Sequence, residues 1–148
     1  MLYFARFSFM NRRTQHANQT FNRTQVANLA DIFTSRLLSE IPPALSSLLT
    51  SLLTLTSLHT INLSDNAFGL NTQAPLVAFL SSHIPLQHLI LNNNGLGPHA
   101  GVLIADALTS LAEKKAAARK DGKTVPDLET VICAVSYTHL TLPTNREV

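Results

Sequence analysis

Leu58-His-Thr-Ile61-Asn-Leu63-Ser-Asp65-Asn66-Ala-Phe68-Gly69 aligns position by position with the later segment Leu86-Gln-His-Leu89-Ile-Leu91-Asn-Asn93-Asn94-Gly-Leu96-Gly97. Both segments fit L-x-x-L-x-L-x-x-N-x-L, in which apolar positions alternate along a short strand and the chain then turns inward at a corner. Alternation of this kind buries one face of a strand and leaves the other free.

Each strand is followed by a helical pattern. After the first comes a helix over 72–83, with Pro75 confined to its first turn and Leu76, Phe79 and Leu80 on one face. After the second, Pro98 starts a helix with a stripe of Ile104, Ala105, Leu108, Leu111 and Ala112. Upstream, Pro42 and Pro43 open a helix over 41–55, with Leu45, Leu48, Leu49 and Leu52 on its buried face. A further strand is expected at 128–133, displaced by an insertion made of the basic run and Gly122. A weaker one lies around Val26 to Leu29, where Leu29-Ala-Asp31 echoes Leu63-Ser-Asp65. The fold class is therefore α/β: a leucine-rich repeat solenoid of about three to four repeats, with parallel strands on the concave face and helices on the convex face.

The composition agrees. Of 148 residues, 45% are hydrophobic, 25 are Leu and none is Trp, so aliphatic side chains do the burying. Disorder of the whole chain is excluded. Charged residues are only 14%. From Leu37 to Glu113 there is no Lys or Arg, whereas Glu40, Asp65, Asp106 and Glu113 fall in that stretch. A nucleic-acid groove needs the opposite sign. Basic residues return at Lys114, Lys115, Arg119, Lys120 and Lys123, as a solvated helix end or loop. The uncharged stretch 41–64 contains Pro42, Pro43, His59, Asn62 and several Ser and Thr, which argues against a membrane span. Arg6, Arg12, Arg13 and Arg23 without an acid suit a transit peptide, although an unstructured or misassigned N-terminus explains them as well.

Candidate chemistry is sparse. Asn66 and Asn94 close the motif and form a structural ladder, their amides bonding turn backbone. Asn93 and Asp65 stand one place earlier, at the carboxyl ends of the strands, where side chains face outward from the rim; by register alone they read as polar loop residues. Gly95-Leu96-Gly97-Pro98-His99-Ala100 imitates a dinucleotide-binding turn, but the repeat explains its glycines and no acid follows at the next strand end. His83, His88 and His99 share a region without metal-ligand spacing. Cys133, the single cysteine, falls at an inward position and is expected to be a buried, inert thiol. No nucleophile elbow or Ser, His and Asp set is present, so an active site of its own is not expected.

Asp31-Ile-Phe-Thr-Ser-Arg36, Glu40-Ile-Pro42, the first repeat segment, Pro75-Leu76, Phe79-Leu80, Leu91 to Pro98 and Val131-Ile-Cys133 together resemble the fungal Ran GTPase-activating proteins, over roughly residues 29 to 133. The resemblance implies a cytoplasmic GTPase activator for Ran in nucleocytoplasmic transport, a regulator and not an enzyme. It implies that Asn93 orients the GTPase's own glutamine without an arginine finger, and that Arg36, Asp65 and Asn93 meet the partner. It implies no cofactor beyond the GTP and magnesium of the partner, no nucleic acid and no membrane. Leu38 stands where the family has a basic residue. Residues 1–28 do not align and are expected to be disordered; 29–133 form the repeat fragment; 134–148 resemble translated library-adapter sequence. A repeat module that binds without activating, or a truncated fragment without activity, remain the alternatives.

Overall fold

The computed structural model describes residues 23–133; residues 1–22 and 134–148, with the expectations that concern them, lie outside the described part. Four short strands, β1 (Val26–Asn28), β2 (Thr60–Asn62), β3 (His88–Ile90) and β4 (Thr130–Ile132), form one parallel sheet in the order β1-β2-β3-β4. Three helices connect them: α1 (Ile41–Leu52), α2 (Gln73–Leu80) and α3 (Pro98–Lys120). The architecture is α/β and compatible with a leucine-rich-repeat-like arrangement. β1 lies ahead of residue 29, where the aligned repeats were expected to begin.

Register confirms the equivalence read from sequence. Ala27 pairs with Ile61, Ile61 with Leu89, and Leu89 with Val131. The entry to each strand is stitched identically: His59 and Thr60 N–H donate to Gln25 C=O, Gln87 and His88 to His59 C=O, and Glu129 and Thr130 to Gln87 C=O. Successive units thus stack by exchanging backbone bonds at one height.

Leu58, Ile61 and Leu63 of one unit and Leu86, Leu89 and Leu91 of the next are essentially unexposed. Burial of each such side chain contributes about 1.5–3 kcal/mol. Buried residues of all three helices share one core with this face of the sheet, and α1 packs on α2 and α2 on α3. α1 begins with Pro42 and Pro43 in its first turn, where missing N–H groups cost nothing. It buries Ile41, Leu45, Leu48, Leu49 and Leu52, then ends three residues earlier than the sequence pattern suggests. In α2 the expected Leu76, Phe79 and Leu80 are buried. No helix among the described residues is long and apolar enough to cross a membrane.

Three expectations need correction. The buried stripe of α3 is Ala100, Ile104, Ala107, Leu111, Lys115 and Ala118, while Ala105 and Ala112 are exposed. Lys115, expected in a solvated run, is buried: its Nζ donates to Leu86 C=O and Pro126 C=O, each at 2.7 Å. Those carbonyls replace water as acceptors, and desolvation, followed by the nearby Arg119 charge, lowers its pKa. Cys133 is exposed, contrary to its inward repeat position. Among the described residues β4 is the last strand of the sheet and is left uncovered on its inward face: Val131, in register with fully buried Leu89, is itself 43% exposed.

Candidate functional site

The carboxyl ends of the strands carry a row of turns with an uncommon backbone. Four residues beyond the paired positions Ala27, Ile61 and Leu89 stand Asp31, Asp65 and Asn93, with φ of 56°, 60° and 54°. Asp and Asn tolerate this left-handed region better than other residues with a Cβ, because their short polar side chains satisfy local backbone. The turns are stacked as the strands are: Asp31 N–H donates to Ser64 C=O at 3.0 Å, and Asp65 N–H to Asn92 C=O at 2.9 Å. All three side chains lie at exposed positions. Asn93 Nδ2 donates to Asp65 Oδ1 at 2.9 Å, so the two candidate residues form a pair bridging adjacent repeats. Asp31 accepts instead from Thr34 Oγ1 within its own loop.

Immediately behind this rim runs the asparagine ladder. Asn94 accepts from Asn66 N–H at 2.8 Å and donates to Leu63 C=O at 2.9 Å and Leu91 C=O at 3.1 Å. Asn66 accepts from Ile32 N–H at 2.9 Å and Phe33 N–H at 3.1 Å, and donates to Leu29 C=O at 2.9 Å and Leu63 C=O at 2.8 Å. Both are buried. A side-chain amide carries two N–H donors and an oxygen with two lone pairs, so it can close such a corner from both sides with two bonds given and two accepted.

Asn66 also positions the loop that carries Arg36. Its bonds to Ile32 and Phe33 anchor the loop's start, and Phe33 is buried against Phe68 with ring centroids 6.0 Å apart. Arg36 N–H then donates to Phe33 C=O at 3.0 Å, which turns the chain back and leaves Arg36 exposed. Leu37 and Leu38 follow it into solvent at 68% and 70% exposure. The structure therefore joins Asp65 and Asn93 directly, and sets Arg36 on a neighbouring loop held by the same ladder.

The remaining polar residues have other duties. His83 is buried and stacks on Phe79, its Nε2–H donating to Leu58 C=O at 2.7 Å. Burial, outweighing that bond and reinforced by the Lys115 charge, lowers its pKa. His83 and Lys115 thus serve equivalent carbonyls, those of the first leucine in consecutive motifs. Sequence reading missed both contacts; the available signal was Lys115 standing four residues after Leu111 on the buried stripe. His88 lies on the open sheet face beside Thr130 and Glu129, and His99 is exposed at the start of α3. Gly95, at φ 64°, makes the turn before α3, as repeat geometry requires. Among the described residues no group of three or more His, Cys, Asp or Glu could hold a metal ion.

The rim thus presents the bonded Asn93 amide and Asp65 carboxylate, with the Arg36 guanidinium exposed on the loop that Asn66 anchors, and the sequence from 37 to 113 holds no Lys or Arg. No family model matches the chain. It is 48% identical over 106 residues to Ran GTPase-activating protein 1 of Saccharomyces cerevisiae, covering 72% of this chain and 25% of that protein. It is 48% identical over 92 residues to Ran GTPase-activating protein 2 of Caenorhabditis elegans, covering 59% of this chain and 10% of the relative. Over 91 residues it is 44% identical to Ran GTPase-activating protein 1 of Xenopus laevis, covering 60% and 16%. The chain spans about a quarter of the length of the yeast relative.

Proposed function

We propose that this chain, a partial-length relative of the Ran GTPase-activating proteins, is a section of leucine-rich repeat solenoid that accelerates GTP hydrolysis by the small GTPase Ran. Its strands line the concave face and its helices the convex one, in three to four repeats spanning 29–133 with β1 added ahead of them. It works in the cytoplasm on the nucleocytoplasmic transport cycle. It regulates an enzyme and has no active site of its own; GTP and magnesium belong to the partner.

The observation that carries this reading is the Asn93–Asp65 pair at the strand ends, in a chain that is 48% identical over 106 residues to one of those proteins. An intrinsic glutamine of the GTPase must hold the attacking water in line, and positioning of this kind is a large part of catalysis of phosphoryl transfer. Asn93 meets that glutamine amide to amide, donating and accepting. Arg36 is a docking residue: its loop fixes it on the partner surface and it does not enter the phosphate site. Asp65 and the cation-free centre favour approach of a basic surface. The competing reading, a repeat module that binds without activating, draws on Leu38, which stands exposed where the family has a basic residue.

Single-turnover hydrolysis by GTP-loaded Ran, measured against the concentration of this chain, tests the proposal. Arg36→Ala should raise the half-saturating concentration. Asn93→Ala should leave it nearly unchanged and lower the maximal rate by about 10²-fold, the loss typical of one preorganised polar group. A folded chain that binds Ran without accelerating hydrolysis leaves only the binding module.

A further inference from the structure

We infer that Asp65 is a positioning residue: it fixes which end of the Asn93 amide is turned to the partner. The inference rests on the proposed role of Asn93 and adds the residue that sets its polarity. A carboxylate has only acceptors, whereas an amide has a donor end and an acceptor end that diverge from one carbon. With Asp65 Oδ1 at 2.9 Å, the group facing it must be the Asn93 nitrogen. The flipped amide would set a carbonyl oxygen against a carboxylate and lose the bond. The Asn93 oxygen is therefore turned away from Asp65.

The backbone makes this pairing reproducible. Asp65 and Asn93 occupy the same position of adjacent repeats and share the left-handed conformation, so their side chains leave the rim in parallel. The bond from Asp65 N–H to Asn92 C=O ties the Asp65 backbone to the residue immediately before Asn93. The contrast within the same row is informative: Asp31 accepts from Thr34 of its own loop, whereas the Asp65 carboxylate reaches across to Asn93 of the next repeat. A glutamine amide from the partner then meets an amide whose polarity the Asp65 bond sets. Loss of orientation reduces the maximal rate, while loss of the Asp65 charge alone acts on encounter and shows in the concentration dependence.

The test is a mutant cycle on Ran GTP hydrolysis with Asp65→Ala, Asp65→Asn, Asn93→Ala and the double variant Asp65→Ala/Asn93→Ala, with circular dichroism to establish folding. Asp65→Ala should lower the maximal rate about fivefold, the rate equivalent of one ordinary hydrogen bond. Asp65→Asn retains an acceptor and the tolerance for positive φ, and should recover part of the loss. In the Asn93→Ala background Asp65→Ala should cost nothing more. An unchanged maximal rate in Asp65→Ala, or the same fivefold loss with and without Asn93, overturns the inference. A parallel arm needs no activity: the side-chain NH₂ signals of Asn93 in an ¹⁵N-labelled sample should shift in Asp65→Ala and stay in place in Asp31→Ala. Absence of acceleration by the wild-type chain defeats the proposed function, and unmoved Asn93 signals then defeat the positioning as well.

Discussion

Replacing Asn66 by Ala removes four hydrogen bonds but does not orphan four groups, and the difference sets the expected cost. Leu63 C=O keeps a donor, because Asn94 Nδ2 also reaches it at 2.9 Å. Ile32 N–H and Leu29 C=O are in part-buried bonds, so water recovers most of their loss, leaving about 0.5–1 kcal/mol each. Phe33 N–H is in a buried bond and loses its acceptor, which costs about 1–3 kcal/mol. The sum is about 2–5 kcal/mol, out of a total stability of order 5–15 kcal/mol. With a urea m-value of about 2 kcal/mol per M, the midpoint of unfolding followed by circular dichroism should fall by about 1–2.5 M. The Arg36 loop should loosen first, since two of the lost bonds hold its start. A midpoint that stays where it was, or a cost smaller than that of losing one ordinary hydrogen bond, would refute the ladder as the corner's organising contact.

Two further outcomes follow from buried or half-covered groups. His83 has a lowered pKa because its imidazole is buried, so the unfolded chain binds more protons than the folded one between that lowered value and the ordinary 6.5. Stability should be full above about pH 6.5 and fall as the pH drops through the lowered value; urea midpoints at several pH values should show this slope in the wild type, and a slope equally steep in His83→Gln would exclude His83 as its source. Cys133 is exposed, yet partial desolvation raises its thiol pKa above 9.0. Iodoacetamide should alkylate it to completion without denaturant, at a rate still climbing above pH 9.0, and a rate already level near neutral pH would contradict the raised value.

The strand positions were readable because a shift by one repeat aligns every apolar position of β2 and β3, and pairing of Ile61 with Leu89 realises it. The ladder was readable for the same reason, since Asn66 and Asn94 recur at the corner. Even β1 left a trace in the echo of Leu63-Ser-Asp65 by Leu29-Ala-Asp31. The rotation of α3 was not readable: its face is marked largely by Ala, whose small side chain scarcely distinguishes one side from the other, and partly buried Leu108 draws the stripe toward Ala105 and Ala112. Burial of Lys115 depends on the carbonyls of Leu86 and Pro126, which lie far apart in the chain and come together only in the folded structure. Exposure of Cys133 depends on what covers β4, which no pattern within the strand encodes. The Asn93–Asp65 bond joins equivalent turns of adjacent repeats, and the repeat showed their equivalence without showing their left-handed backbone or their contact.

The most direct experiment mixes GTP-loaded Ran with saturating folded chain and follows one round of phosphate release, beside the same mixture with Asn93→Ala. The polar rim predicts acceleration by the wild-type chain and about 10²-fold less by the variant at equal occupancy. Equal rates for the two chains, at concentrations where both are bound, would contradict it.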